Sequence, residues 1–183
     1  IIHGWDGFPE EGWFPWLKRE LENRDFYVEV PALPETAQPK IKEWVTFLSK
    51  LVKKADKNTY FIGHSIGCQA ILRYLQTINE EIGGVIFVAG WFNLKNLETK
   101  EEKEIAKPWL ETPINFGKIK KTTNRFIAIF SDNDPFVPST DSSIFKERLN
   151  AKIIVEKNRG HFSGSDNITE LPVVLKELLE IAK

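Results

Sequence analysis

Short apolar runs alternate along this chain with longer stretches in which apolar residues recur every three or four positions. Runs of the first kind fall at 1–3, 26–30, 59–62, 85–89, 126–130 and 153–155, and each reads as a strand. The 26–30 run is closed by Pro31 and Pro34, and the 59–62 run ends at Gly63. Helical spacing appears at 13–21 through Trp13, Trp16, Leu17 and Leu21, and at 41–52 through Ile41, Val45, Leu48 and Val52. It returns after Ser65 through Ile71, Leu72 and Leu75, then at 144–149 and at 171–181. The stretch 91–121 breaks the rhythm, with a charged run at 100–107 followed by Pro108, Trp109 and Pro113, and reads as an irregular segment or small cap. Strands alternating with helices predict one α/β domain over 1–183, a parallel sheet in doubly wound order with helices on both faces. In such sheets the functional loops gather at the carboxyl ends of the strands.

Composition narrows the function classes. The 183 residues are 42% hydrophobic and 28% charged, with a formal net charge of -1. No concentrated basic surface is encoded, so nucleic acid is not an expected partner; the densest cluster, Lys118, Lys120 and Lys121, is short. A single cysteine, Cys68, excludes an intramolecular disulfide and a multi-cysteine metal site. It favours a reducing, cytoplasmic location. No apolar run approaches the roughly 20 residues needed to span a bilayer, no signal peptide is visible, and no membrane association, metal or cofactor is expected.

Chemistry enters at Gly63-His64-Ser65-Ile66-Gly67, a G-x-S-x-G pattern between an apolar strand and a helical stretch. That strand–turn–helix context is the nucleophile elbow, in which a tight turn exposes the serine hydroxyl beside the N–H groups of a helix start. A serine needs a base. Of the three histidines, His64 is inside the elbow and points away from Ser65, and His3 sits at the end of the first strand as a structural residue. His161 has the loop position, between the last strand and the last helix, that brings an imidazole over the elbow. The orienting carboxylate is expected after the 126–130 strand, where Asp132 and Asp134 both qualify by type. Asp134 is preferred, because Asp-x-x-Val-Pro is the commoner pattern for the acid in this fold and the order Ser65, Asp134, His161 follows the Ser…Asp…His order. Asp132 then stabilises the turn. The oxyanion donors are expected to be the backbone N–H groups of Ile66 and Trp5. For a substrate pocket, Trp91 and Trp109 in the irregular segment are the better aromatic candidates, together with Phe136, ahead of Trp5 and Trp13. Cys68 reads as a packed thiol.

Taken together, Ile1-Ile2-His3-Gly4-Trp5, Gly12-Trp13-Phe14-Pro15-Trp16-Leu17, the elbow, Pro108-Trp109, Asp134-Pro135-Phe136-Val137-Pro138 and Gly160-His161-Phe162 resemble the serine hydrolase family that includes YdeN and retinoblastoma-binding protein nine. The resemblance covers nearly the full length. It implies a small α/β-hydrolase fold of about six parallel strands with a minimal cap, a triad at Ser65, Asp134 and His161, and esterase-like or related hydrolysis of a small ester or amide. The Leu-x-Cys-x-Glu motif is absent, Cys68 lying in Ile66-Gly67-Cys68-Gln69-Ala70, so the retinoblastoma partner is not carried over. The rival readings are a non-catalytic interaction protein on the same fold and an acyltransferase using the same triad.

Overall fold

The computed structural model describes residues 1–183. Its centre is a parallel sheet of four strands, β1 (Tyr60–His64), β2 (Gly84–Val88), β3 (Phe126–Ser131) and β4 (Lys152–Glu156), in that spatial order. The register runs through Tyr60↔Gly84, Val85↔Phe126 and Ile127↔Lys152. β2 and β3 are buried along their whole length, which is why their sequences are continuous rather than alternating apolar runs. At the β4 edge Val155 lies open to solvent.

Two of the six expected strands do not form as such. Ile2 lies beside β1 as a single parallel bridge, donating its N–H to Ile62 O (2.8 Å) and accepting from His64 N (2.9 Å). Because Ile2 spends both backbone groups on β1, Ile1 faces the other way, and its amino group meets Glu29 O at 2.7 Å. The 26–30 segment lies beside these first residues without forming a ladder. The placement still reverses the winding: the chain steps outward from Ile2 to Glu29, then returns past Ile2 to β1.

Seven α-helices cover the sheet: α1 (Phe14–Glu22), α2 (Ile41–Leu51), α3 (Ile66–Leu75), α4 (Lys100–Glu111), α5 (Phe116–Thr122), α6 (Asp141–Leu149) and α7 (Pro172–Ile181). α1 packs with α7, while α2 packs on α3, α3 on α5 and α5 on α6, giving helices on both sides of the sheet. Every residue of α3 is buried, since it is wedged between the sheet and its neighbours. One connected core of 42 residues runs through both layers.

The 91–121 segment is irregular only over 91–99 and 112–115; the rest of it forms α4 and most of α5, and the signal for α4 lay in its cap. Thr99 Oγ1 accepts from Glu102 N (3.0 Å) while the Glu102 carboxylate accepts from Thr99 N (2.7 Å). Pro108 lies inside the helix near its end, removing one N–H without stopping the helix. The last turn is the buried end. Ala106 and Trp109 are in the core, and Arg73 of α3 donates to Trp109 O (2.7 Å) and Thr112 O (3.0 Å).

Candidate functional site

Ser65 stands between the end of β1 and the start of α3, with φ 52° and ψ −124°. A serine rarely adopts a positive φ, and here the turn is held from outside: Ser65 N donates to Val88 O at the end of β2 (2.9 Å). The flanking glycines are obligatory. A Cβ at Gly67 would lie 2.4 Å from Ile2 O and 2.6 Å from His3 O, and one at Gly63 would lie 2.9 Å from the Cys68 backbone.

His161 comes from the loop after β4, and its Nε2 is 2.8 Å from Ser65 Oγ. Its Nδ1 is 2.9 Å from Asp134 Oδ2. Asp134, in the loop after β3, is 5% exposed. Its other oxygen, Oδ1, accepts from Phe136 N (2.8 Å) and Val137 N (3.0 Å), which leaves Oδ2 aimed at the imidazole. Asp132 goes elsewhere: it accepts from Asn158 N (2.8 Å) and ties the two loops together. Asn133 does the same through Gly160 N (2.9 Å).

The loop after Ile2 comes close to the elbow, a Cβ at Gly4 being 3.4 Å from Ser65 Cβ. His3 is fully buried and braces this loop, with Nδ1–H donated to Gly4 O (2.9 Å) and Nε2 accepting from Leu33 N (3.1 Å). Burial lowers its pKa from the ordinary imidazole value. Neither Trp5 N–H nor Ile66 N–H has a protein acceptor, so both expected oxyanion donors are free. The Trp5 indole is occupied with Ala37 O (3.0 Å).

Ser65 and His161 open into a cavity of about 510 Å³. Trp5, Trp91 and Phe136 line it, and Phe136 meets the His161 ring edge-on at 5.3 Å. Trp109 does not reach it. Its indole is buried, donates to Pro39 O (2.9 Å), and lies under the Arg73 guanidinium, lining a separate groove behind α4. Trp13 is likewise in the core. Lining residues that the sequence pattern did not point to are Leu94, Leu97 and Ile105, together with the acidic residues Asp6, Glu11, Glu101 and Glu102. The helical spacing of α4 placed on its cap would have found Ile105. Cys68, fully buried, has its thiol pKa pushed up by burial and is no nucleophile.

Known proteins share this chain's sequence pattern and its fold. The family model described as serine hydrolase matches residues 1–180. YdeN of Bacillus subtilis is 30% identical over 176 residues, covering 95% of this chain and 90% of its own. The serine hydrolase RBBP9 of Rattus norvegicus is 28% identical over 169 residues, covering 92% and 87%. The crystal structure of the B. subtilis ydeN gene product superposes with a TM-score of 0.90 at 28% identity, over 99% of this chain and 96% of that one. A carboxylesterase structure from Nitrososphaera gargenis shares the fold at a TM-score of 0.73 and 15% identity, over 99% and 89%. No helix is long and apolar enough to cross a membrane. The sheet, its elbow and a match spanning all but the last few residues make this chain an enzyme of the serine hydrolase family, built on the α/β-hydrolase fold.

Proposed function

We propose that the protein cleaves small carboxylic esters or amides through an acyl-enzyme formed on Ser65. The observation that carries this reading is the unbroken relay from Ser65 Oγ to His161 Nε2 (2.8 Å) and from His161 Nδ1 to Asp134 Oδ2 (2.9 Å). Ser65 Oγ attacks the acyl carbon as His161 Nε2 takes its proton, and Asp134 stabilises the imidazolium and holds its tautomer. The developing oxyanion takes hydrogen bonds from the N–H groups of Ile66 and Trp5. His161 returns the proton to the leaving alcohol or amine. Water, deprotonated by the same imidazole, then releases the acid and restores Ser65.

The cavity supports a small substrate. About 510 Å³, partly apolar, suits a short acyl group with a modest leaving group. Its charged lining is acidic, from Asp6, Glu11, Glu101 and Glu102, and no Lys or Arg contributes. Neutral substrates are favoured over anionic ones on that ground. The test is labelling by a fluorophosphonate probe alongside turnover of short-chain p-nitrophenyl esters. Wild type should label and turn over, and Ser65→Ala should do neither. Wild-type protein that fails to label beside a reactive control esterase would favour the non-catalytic reading. An Ser65→Ala variant that still labels would remove Ser65 as the nucleophile.

A further inference from the structure

His64 occupies the elbow, yet the steps above make no use of its side chain. Its ring is 4% exposed and donates Nε2–H to the carbonyl oxygen of His161 at 2.7 Å, across 97 residues of sequence. That bond leaves Nδ1 as a buried acceptor without a partner. Burial, and then the charge of His161, push the His64 pKa down to about 3, so the ring stays neutral at ordinary pH. A second aromatic donor works on the next residue: Trp13 Nε1–H reaches Phe162 O at 3.0 Å, across 149 residues. The rings of Trp13 and Phe14 close edge-on against His64, at 6.2 and 6.0 Å. What these donors hold is a strained stretch, since the buried Phe162 has φ 57°. From the other side, His161 N–H is bound by Asp166 Oδ2 at 2.9 Å.

We infer that His64, with Trp13 beside it, is a positioning residue that locks the backbone of His161 to the turn carrying Ser65. The inference rests on the reading of Ser65 and His161 given above. The contacts form a closed ring: Ser65 Oγ to His161 Nε2, through His161 to its carbonyl, across to His64 Nε2, and back over one peptide bond to Ser65. Nucleophile and base then move as one body, and the loop after β4 cannot drift without breaking a buried bond. A phenyl ring would fill the same space without burying an unpartnered nitrogen, so packing alone does not account for an imidazole here. Misplacing a catalytic group by about 1 Å lowers rate by about 10²-fold.

His64→Phe keeps the ring and removes the donor, while His64→Gln puts an amide N–H near the place of Nε2. With a p-nitrophenyl ester, His64→Phe is expected to lower kcat by about 10- to 100-fold with KM within about twofold of wild type. His64→Gln is expected to recover kcat to within about threefold of wild type. A His64→Phe enzyme with wild-type kcat overturns the inference. So does a His64→Gln enzyme as slow as His64→Phe when both melt at the wild-type temperature. Trp13→Phe, which removes the donor to Phe162 together with part of the buried ring, supplies the same measurement if His64→Phe does not fold, and an unchanged kcat there counts against the inference equally. Ser65→Ala assayed in parallel separates the two levels: residual wild-type turnover in it dismisses the nucleophile, whatever His64 does.

Discussion

Asp132 and Asp134 stand two positions apart on one loop, and their side chains serve different partners. Asp134 Oδ1 is taken by two backbone N–H groups of its own loop, so that Oδ2 meets His161. Asp132 reaches Asn158 N. Asp134→Asn is therefore expected to lower kcat by about 10³- to 10⁴-fold, because the amide cannot hold the required tautomer. Asp132→Asn should leave kcat within about threefold of wild type and lower the stability by about 1 kcal/mol, read as a shift in the urea midpoint. The preference for Asp134 was legible from the Val-Pro spacing, and the structure supplies its reason: the loop curls until the N–H groups of Phe136 and Val137 face the carboxylate. His64 was legible only as a histidine turned away from Ser65. Its partner lies 97 residues on, and the accepting group is a carbonyl, which carries no residue identity. Trp109 misled for the opposite reason, because an aromatic residue between Pro108 and Pro113 reads as a loop while its indole is buried in the last turn of a helix.

Helices and strands were legible where their apolar period was clean, and less so where the decisive groups were polar. α4 begins on Thr99 and Glu102, a reciprocal cap whose two bonds start the helix in a run that shows mostly charge. The extended 26–30 segment shows the reverse error. Its residues have strand character, but a ladder depends on pairing with a neighbouring segment, and its one backbone contact there is Glu29 O with the Ile1 amino group. The start of α3 yields a sharper prediction. Gly67→Ala places a methyl group 2.4 Å from Ile2 O, a clash with backbone that cannot swing aside. It should destabilise the fold by about 2–4 kcal/mol in urea titration and slow acylation, since Ser65 shares that turn. α4 also carries a prediction about substrate. Glu101 and Ile105 face the cavity from its first two turns. An ester whose acyl chain ends in a carboxylate should show kcat/KM about tenfold or more below that of its neutral methyl counterpart, and Glu101→Gln should narrow the gap.

For the whole molecule, the alternation of strand and helix patterns already implied a parallel sheet with helices on both faces, since few other arrangements bury such runs. The buried histidines make its stability depend on pH. His3 and His64 both have pKa values lowered by burial, His64 to about 3. An unfolded chain takes up protons on these rings from about pH 6.5 downwards, while the folded chain takes them up only at lower pH. The contribution of these two rings to stability is therefore full above that pH and declines as the pH falls, by at most about 1.4 kcal/mol per pH unit per histidine. Urea unfolding at pH 7.5 and 4.5 should show the loss, and His64→Gln, with one fewer ring to protonate, should show a shallower one. The two ends of α4 have a further consequence for how such a protein diverges. Its final turn is anchored by Arg73 and Trp109, whereas Lys100, Glu101 and Glu104 near its start stand in solvent. Selection acting on Glu101 and Ile105 can remodel what enters the cavity while the anchor keeps the helix seated, so descendants of one ancestral gene can part in diet before they part in architecture.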